Sequence, residues 1–70
     1  MPGPEEVQSI GPVWFRHDGE EVVFLAPPTY ARLMTLFGAR QDRGGRWLLD
    51  RARAERLIER LRRHAPREHG

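Results

Sequence analysis

The segment 37–47 constrains the fold more than any other part of the chain, because it joins a helix, a turn and a strand with almost no linker. An apolar helical pattern ends at Phe37, and Gly38 follows where a helix commonly closes with a left-handed residue. Asp42 comes shortly before two glycines, residue types that build tight turns, and Trp47 opens an apolar run. The segment predicts a helix followed directly by a hairpin that pairs 39–41 with 46–49.

An earlier hairpin is predicted over residues 13–25. Asp18-Gly19 is a strong signal for a type I′ turn, in which both central residues have positive φ. This turn pairs Phe15 with Val22 and Trp14 with Val23, and alternate side chains point to opposite faces. The core face is then Val13, Phe15, Val22 and Phe24, and the other face carries Trp14, Val23 and Leu25 beside an Arg16–Glu21 pair.

Two amphipathic helices complete the pattern. Residues 29–37 have apolar side chains at i, i+3, i+4 and i+7, which form one face of a helix. The second helix follows Asp50, whose carboxylate can accept hydrogen bonds from first-turn N–H groups, and runs to about Arg63 before Pro66. The predicted buried residues are Tyr30, Leu33, Met34 and Phe37 in the first helix and Ala54, Leu57, Ile58, Leu61 and Ala65 in the second.

These elements have the order ββαββα and predict an α+β fold class: a small antiparallel sheet of two β-hairpins with two helices packed on one face. Seventy residues allow a single domain with a small core. Residues 1–12 are rich in proline, glycine and glutamate and are expected to form a flexible N-terminal arm. We expect the compact domain to span 13–65 and a disordered tail to span 66–70.

The two tryptophans are candidates for burial or for binding. Trp47 is expected in the core, since large aromatic residues dominate the cores of small domains. Trp14 has two alternatives. It can be covered by Val7 and Ile10 of the arm, which we favour, or it can remain exposed beside Arg16 and stack on an unpaired base or contact a partner.

Composition excludes several classes of protein. The chain has no cysteine, which rules out disulfides and thiolate metal sites. Its longest apolar run, 22–26, is too short to span a membrane, and its first residues lack signal-peptide character. We therefore expect a soluble cytoplasmic protein. All twelve basic residues are arginine and none is lysine, a bias typical of GC-rich genomes. The use of arginine at any one site therefore carries little functional information.

Charge is distributed unevenly along the sequence. Residues 1–31 contain one arginine against five carboxylates, a net charge of −4, and residues 32–67 contain eleven arginines against four carboxylates, a net charge of +7. The molecule is expected to have an acidic end and a basic end. A basic end suits an anionic partner, although the same asymmetry also keeps a protein soluble.

The run Gly38-Ala39-Arg40-Gln41-Asp42, four residues and Trp47 resembles the pattern Gly-Ala-Arg-Trp-Asp, spacer, Trp of small domains of unknown function that accompany plasmid-mobilisation and DNA-replication proteins. It is similar, more distantly, to the HARP domain of annealing helicases. The resemblance covers about residues 22–62, with Gln41 in place of the first tryptophan. It implies nucleic-acid binding and brings no catalytic residues.

Arginines line one side of the second helix, beside its apolar stripe. Their spacings of three and four residues place them together, while Glu55 and Glu59 fall on the opposite flank. Such a row can contact several phosphates and release counterions. Alternatively, arginines late in a helix complement its macrodipole and form an ordinary solvated face. The row consists of Arg53, Arg56, Arg60, Arg63 and Arg67, and Arg40, Arg43 and Arg46 of the second hairpin are expected to extend it.

No residue cluster predicts catalysis or a metal site. The turn 17–21 brings His17 together with three carboxylates, but a solvated turn neither excludes water nor shifts pKa values. His64 and His69 do not share a helix face, and no nucleophile has a neighbouring base. We expect a non-enzymatic protein with no cofactor, no metal and no small-molecule substrate.

Two function classes remain. In the first, the chain is a small nucleic-acid-binding accessory module, acting on single-stranded or branched DNA, whose arginines contact phosphates. In the alternative, it is a protein-protein interaction module, such as a phage, plasmid or complex subunit, that docks through Trp14, Val23 and Leu25 or through an open strand edge. Only the first predicts an affinity that falls steeply with salt.

Overall fold

The computed structural model describes residues 6–64, which form one five-stranded antiparallel sheet and two helices. The α+β fold class is confirmed. A short 3₁₀ turn, Pro28–Tyr30, leads into the first helix. The elements are β1 (Gln8–Ile10), β2 (Val13–Asp18), β3 (Glu21–Leu25), α1 (Ala31–Leu36), β4 (Arg40–Gln41), β5 (Trp47–Asp50) and α2 (Arg51–His64).

The sheet contains a strand that the sequence did not predict. Gln8–Ile10, expected in a flexible arm, pairs with β2 as an edge strand, and Gly11 takes a φ of +59° in the turn between them. The strand order β1-β2-β3-β5-β4 also joins the two hairpins into one sheet, because β3 pairs with β5. The predictions for Ala65, Pro66, Arg67 and His69, and for the tail 66–70, concern residues outside those that the structure describes.

The first hairpin has the predicted strands in a different register. Phe15 pairs with Phe24 and Asp18 with Glu21, so the central turn residues are Gly19 and Glu20 rather than Asp18 and Gly19. Gly19 has a φ of +70°, and no described residue other than glycine has positive φ. This arrangement fits a type II′ turn, which needs a glycine only at its first central position. The register moves by two residues, so each side chain keeps its predicted face.

The core lies between one face of the sheet and the helices. The sheet supplies inward side chains from β2, β3 and β5, and α2 packs across β1, β3 and β5 with the stripe that its periodicity predicts. Trp47 is 8% exposed, which confirms its predicted burial. The core residues are Val13, Phe15, Val22, Phe24, Met34, Trp47, Leu49, Ala54, Leu57, Ile58 and Leu61.

Gly38 closes α1 as its position in the sequence predicts. It has a φ of +89°, and its N–H donates to the carbonyl of Thr35 at 2.9 Å. The N–H of Ala39 donates to the carbonyl of Met34 at 3.0 Å, which completes a Schellman motif. The turn from α1 into β4 therefore pairs the carbonyls of Met34 and Thr35 in the last turn of the helix.

Asp42 organises the second hairpin. Its Oδ1 accepts hydrogen bonds from the N–H groups of Gly44 and Arg46, both at 2.9 Å, and its Oδ2 lies 3.2 Å from Nε of Arg46. The backbone hydrogen bond from Arg46 is the largest cause that holds the pKa of Asp42 below its usual value, and the charge of Arg46 adds to it. The hairpin leads directly into α2, where Oδ2 of Asp50 accepts from the N–H of Arg53 at 3.3 Å as predicted.

Candidate nucleic-acid and docking surfaces

The arginine row of α2 lies on one exposed side of the helix, next to α1. Two open hollows mark this side. One is lined by Arg56, Arg60 and Arg63 together with Phe37, and the other by Arg53 and Arg56, again with Phe37. Glu59 also lines the first hollow, so its predicted place on the opposite flank is wrong in part: it borders both sides of the helix. We call Arg53, Arg56, Arg60 and Arg63 the arginine flank.

The four arginines of this flank differ in their partners. Nε of Arg53 lies 3.6 Å from Oδ1 of Asp50, and Nη2 of Arg63 lies 3.4 Å from Oε2 of Glu59. Among the described residues, Arg56 and Arg60 have no carboxylate within salt-bridge distance and are exposed. The two arginines at the centre of the flank therefore form no ion pair with a described carboxylate, while those at its ends do.

Phe37 was predicted from the sequence to be a buried core residue. It packs partly against the core, but its side chain also lines both hollows of the arginine flank. Leu36, beside it, is 74% exposed and lines the hollow that contains Arg53 and Arg56. Leu36 lies outside the apolar stripe of α1, which is a signal in the sequence for its exposure. The position of Phe37 depends on how α1 and α2 pack.

The second hairpin does not extend the arginine flank, contrary to the prediction. Arg40 pairs with Leu48, whose neighbours Trp47 and Leu49 point to the helices, so Arg40 and Leu48 face the other side of the sheet. Arg46 lines a hollow on that side as well. The sheet separates Arg40 and Arg46 from α2 because α2 covers the opposite face. Arg43 is exposed in the turn.

The side of the sheet away from α2, which we call the outer face, carries exposed apolar residues, but Val23, predicted as part of the same docking patch, is only 7% exposed. Trp14 and Leu25 are directly paired across β2 and β3 and are 52% and 51% exposed. The predicted burial of Trp14 is wrong. Ile10 packs toward the core, and Val7 only borders the hollow on the outer face that Trp14 lines. That hollow has a volume of about 120 Å³, less than the ~300 Å³ that small-molecule sites require.

Within the described residues, two arginines on the outer face, Arg40 and Arg46, have carboxylate partners, unlike Arg56 and Arg60 of α2. Arg40 lies 3.8 Å from Glu21, and Arg46 lies 3.2 Å from Asp42. The expected Arg16–Glu21 pairing is absent, because Arg16 stands opposite Val23. By contrast, α2 has six arginines against two glutamates, a net charge of +4. The basic surface of the described chain is thus on the helical side.

The turn that contains His17, Asp18, Glu20 and Glu21 shows no metal-binding geometry. No group of three or more histidine or carboxylate residues in the range 6–64 is placed to hold a metal ion. No helix in that range is long and apolar enough to cross a membrane.

No protein-family model, curated protein or solved structure matches the chain. The resemblance of the segment 38–47 to the Gly-Ala-Arg-Trp-Asp domains therefore stays a prediction. In the structure this segment forms the turn that follows α1, strand β4, the turn of the second hairpin and the first residue of β5.

Proposed function

We propose that the chain is a small, non-enzymatic nucleic-acid-binding module that contacts phosphates through the arginine flank. The observation that carries this proposal is the pair Arg56 and Arg60, exposed on adjacent turns of a helix with a net charge of +4 and unpaired among the described carboxylates. A guanidinium group with no internal partner is available to a phosphate at no cost in broken ion pairs.

The dimensions of the flank suit a polyanion. From Arg53 to Arg63 the helix rises about 15 Å at ~1.5 Å per residue. At an axial rise of about 3.4 Å per nucleotide, this length spans roughly four phosphates of one strand. Binding through guanidinium groups positions a nucleic acid without reading its sequence, so we expect low sequence preference.

Fluorescence anisotropy with a labelled oligonucleotide, measured over a series of salt concentrations, tests the proposal. Affinity should fall steeply with salt, and Arg56→Glu/Arg60→Glu should weaken binding and reduce the slope of log K against log salt by about 1.4 for a single strand. The matched control is Arg51→Glu/Arg62→Glu, which makes the same charge change on the same helix; Arg62 lines a different hollow, with Ile58 and Glu55.

Two results contradict the proposal. One is an affinity that does not depend on salt. The other is an equal loss of binding in the two double variants, which would assign the effect to net charge rather than to the arginine flank.

A second candidate function is docking of a protein on the outer face. The paired exposure of Trp14 and Leu25, beside the ion pairs Arg40–Glu21 and Arg46–Asp42, favours a protein over a polyanion. The test is a pull-down from nuclease-treated lysate with Trp14→Ser, with Leu36→Ser as the control for an exposed apolar residue elsewhere. Trp14→Ser should no longer capture the partner protein, whereas Leu36→Ser should capture it as wild type does. If Trp14→Ser captures the same proteins as wild type, docking on the outer face is ruled out.

A further inference from the structure

Phe37 lies in the middle of the arginine flank. It lines one hollow with Arg53 and Arg56 and the other with Arg56, Arg60 and Arg63, so each arginine of the flank shares a hollow with this one aromatic residue. It is only partly buried, as the last residue before the Gly38 turn. An aromatic ring within a row of guanidinium groups is the combination that single-stranded nucleic-acid sites use.

We propose that this flank is a site for single-stranded polynucleotides, in which Phe37 stacks on an unpaired base while Arg56 and Arg60 bind the adjacent phosphates. The inference rests on the proposed nucleic-acid function and adds the class of nucleic acid. A stacking contact requires a base that is free to leave its neighbours. Bases within a duplex are stacked on each other, so a duplex can use the arginines but not the ring.

The local structure holds the ring in place. The N–H of Phe37 donates to the carbonyls of Leu33 and Met34, both at 3.2 Å, and the Schellman motif fixes the backbone immediately after it. Part of the side chain packs against the core. A ring that is already ordered loses little conformational entropy when a base stacks on it.

The two hollows beside Phe37 have volumes of about 250 Å³ and 380 Å³. Both are open to solvent, so a flat group such as a base can enter from the side. Glu59 and His64 also line the smaller hollow. Glu59 is already paired with Arg63 at 3.4 Å, which limits its repulsion of a phosphate at Arg56.

The experiment compares single-stranded and duplex oligonucleotides of about twelve nucleotides, using oligothymidine and oligouridine as the single strands. The chain should bind either single strand at least about fivefold more tightly than the duplex. Phe37→Leu should weaken single-strand binding by between about fivefold and 150-fold, the range expected for one stacked base, and leave duplex binding and the salt slope unchanged. Phe37→Tyr keeps the ring and should keep the preference.

The control for lost packing is Phe15→Leu, the same substitution at a core residue on the sheet. It should reduce stability without changing the ratio of single-strand to duplex affinity. Equal affinity for single strand and duplex, or single-strand binding that Phe37→Leu does not weaken, overturns this inference and leaves the proposed function standing. Absence of salt-dependent binding to every probe overturns both.

Discussion

The guanidinium group of Arg53 lies over Gly38, so that a Cβ at position 38 would be 2.6 Å from Nη1 of Arg53. Gly38 thus has two reasons to be glycine: the positive φ that closes α1, and the space that the first arginine of the flank occupies. The contact links the end of α1 to the side of α2 on which the arginine flank lies.

Gly38→Ala should therefore destabilise the protein. A side chain in the left-handed region costs about 1–2 kcal/mol, and Arg53 must move from its position. Thermal unfolding followed by circular dichroism measures the effect. Gly44→Ala is the matched control, because its φ is not in the left-handed region and a Cβ there makes only ordinary contacts of 3.6 Å or more. Equal loss in the two variants would contradict this account.

Substitution of the two tryptophans should reduce stability by very different amounts. Trp47→Ala removes a buried side chain from a small core and should cost about 3–5 kcal/mol, enough to leave much of a marginal domain unfolded. Trp14→Ser removes a side chain that is 52% exposed and should cost less than about 1 kcal/mol. Urea unfolding of both variants measures the two losses in the free energy of unfolding. A large loss in Trp14→Ser would show that the outer face contributes to the core.

Asp42 should make the second hairpin sensitive to acid. The pKa of Asp42 is lowered in the folded protein, chiefly by the hydrogen bond from the N–H of Arg46, so ionised Asp42 favours folding. This contribution is complete above the ordinary carboxyl value of about 3.9 and is lost as the pH falls through the lowered pKa. Asp42→Asn should remove that part of the acid dependence.

The measurement is the unfolding temperature of wild type and Asp42→Asn between about pH 2 and pH 6, a range that brackets the ordinary carboxyl pKa. The difference between the two proteins should shrink below about pH 4. A constant difference over the whole range would show that the charge of Asp42 has no part in holding the turn. Asp18→Asn is the control, since Asp18 makes no side-chain hydrogen bond within the described residues.

Asp50 should stabilise the start of α2. Its carboxylate accepts a hydrogen bond from the backbone N–H of Arg53, and its Oδ1 also lies 3.6 Å from Nε of the same residue. Asp50→Ala should lower stability by about 1 kcal/mol, the usual effect of losing an N-cap, which corresponds to a fall of roughly 4–8 °C in Tm. Asp50→Ser retains the cap without the charge, so it should recover most of the loss. No recovery would assign the effect to the ion pair.

The helices and their caps were predictable because their causes are local. The apolar spacing of α2, the carboxylate of Asp50 at its start and Gly38 after α1 all act within one or two turns of the chain. The assignment of side chains to the two faces of the first hairpin was also predictable. Successive side chains of a strand alternate between faces, and a change of register by two residues leaves each one on the same face. The type of the first turn was not predictable. Either Asp18-Gly19 or Gly19-Glu20 can form the two central residues of a tight turn, and the structure uses Gly19-Glu20.

The sequence by itself determined the α+β class, the buried stripe of α2, the burial of Trp47 and the row of arginines beside that stripe. Only the tertiary structure decided that Gln8–Ile10 joins the sheet, that Trp14 is exposed, and that Arg40 and Arg46 lie across the sheet from α2. It also placed Phe37 among the four arginines. These features depend on which strands pair and which sheet face the helices cover, and such long-range contacts leave no local pattern in the sequence.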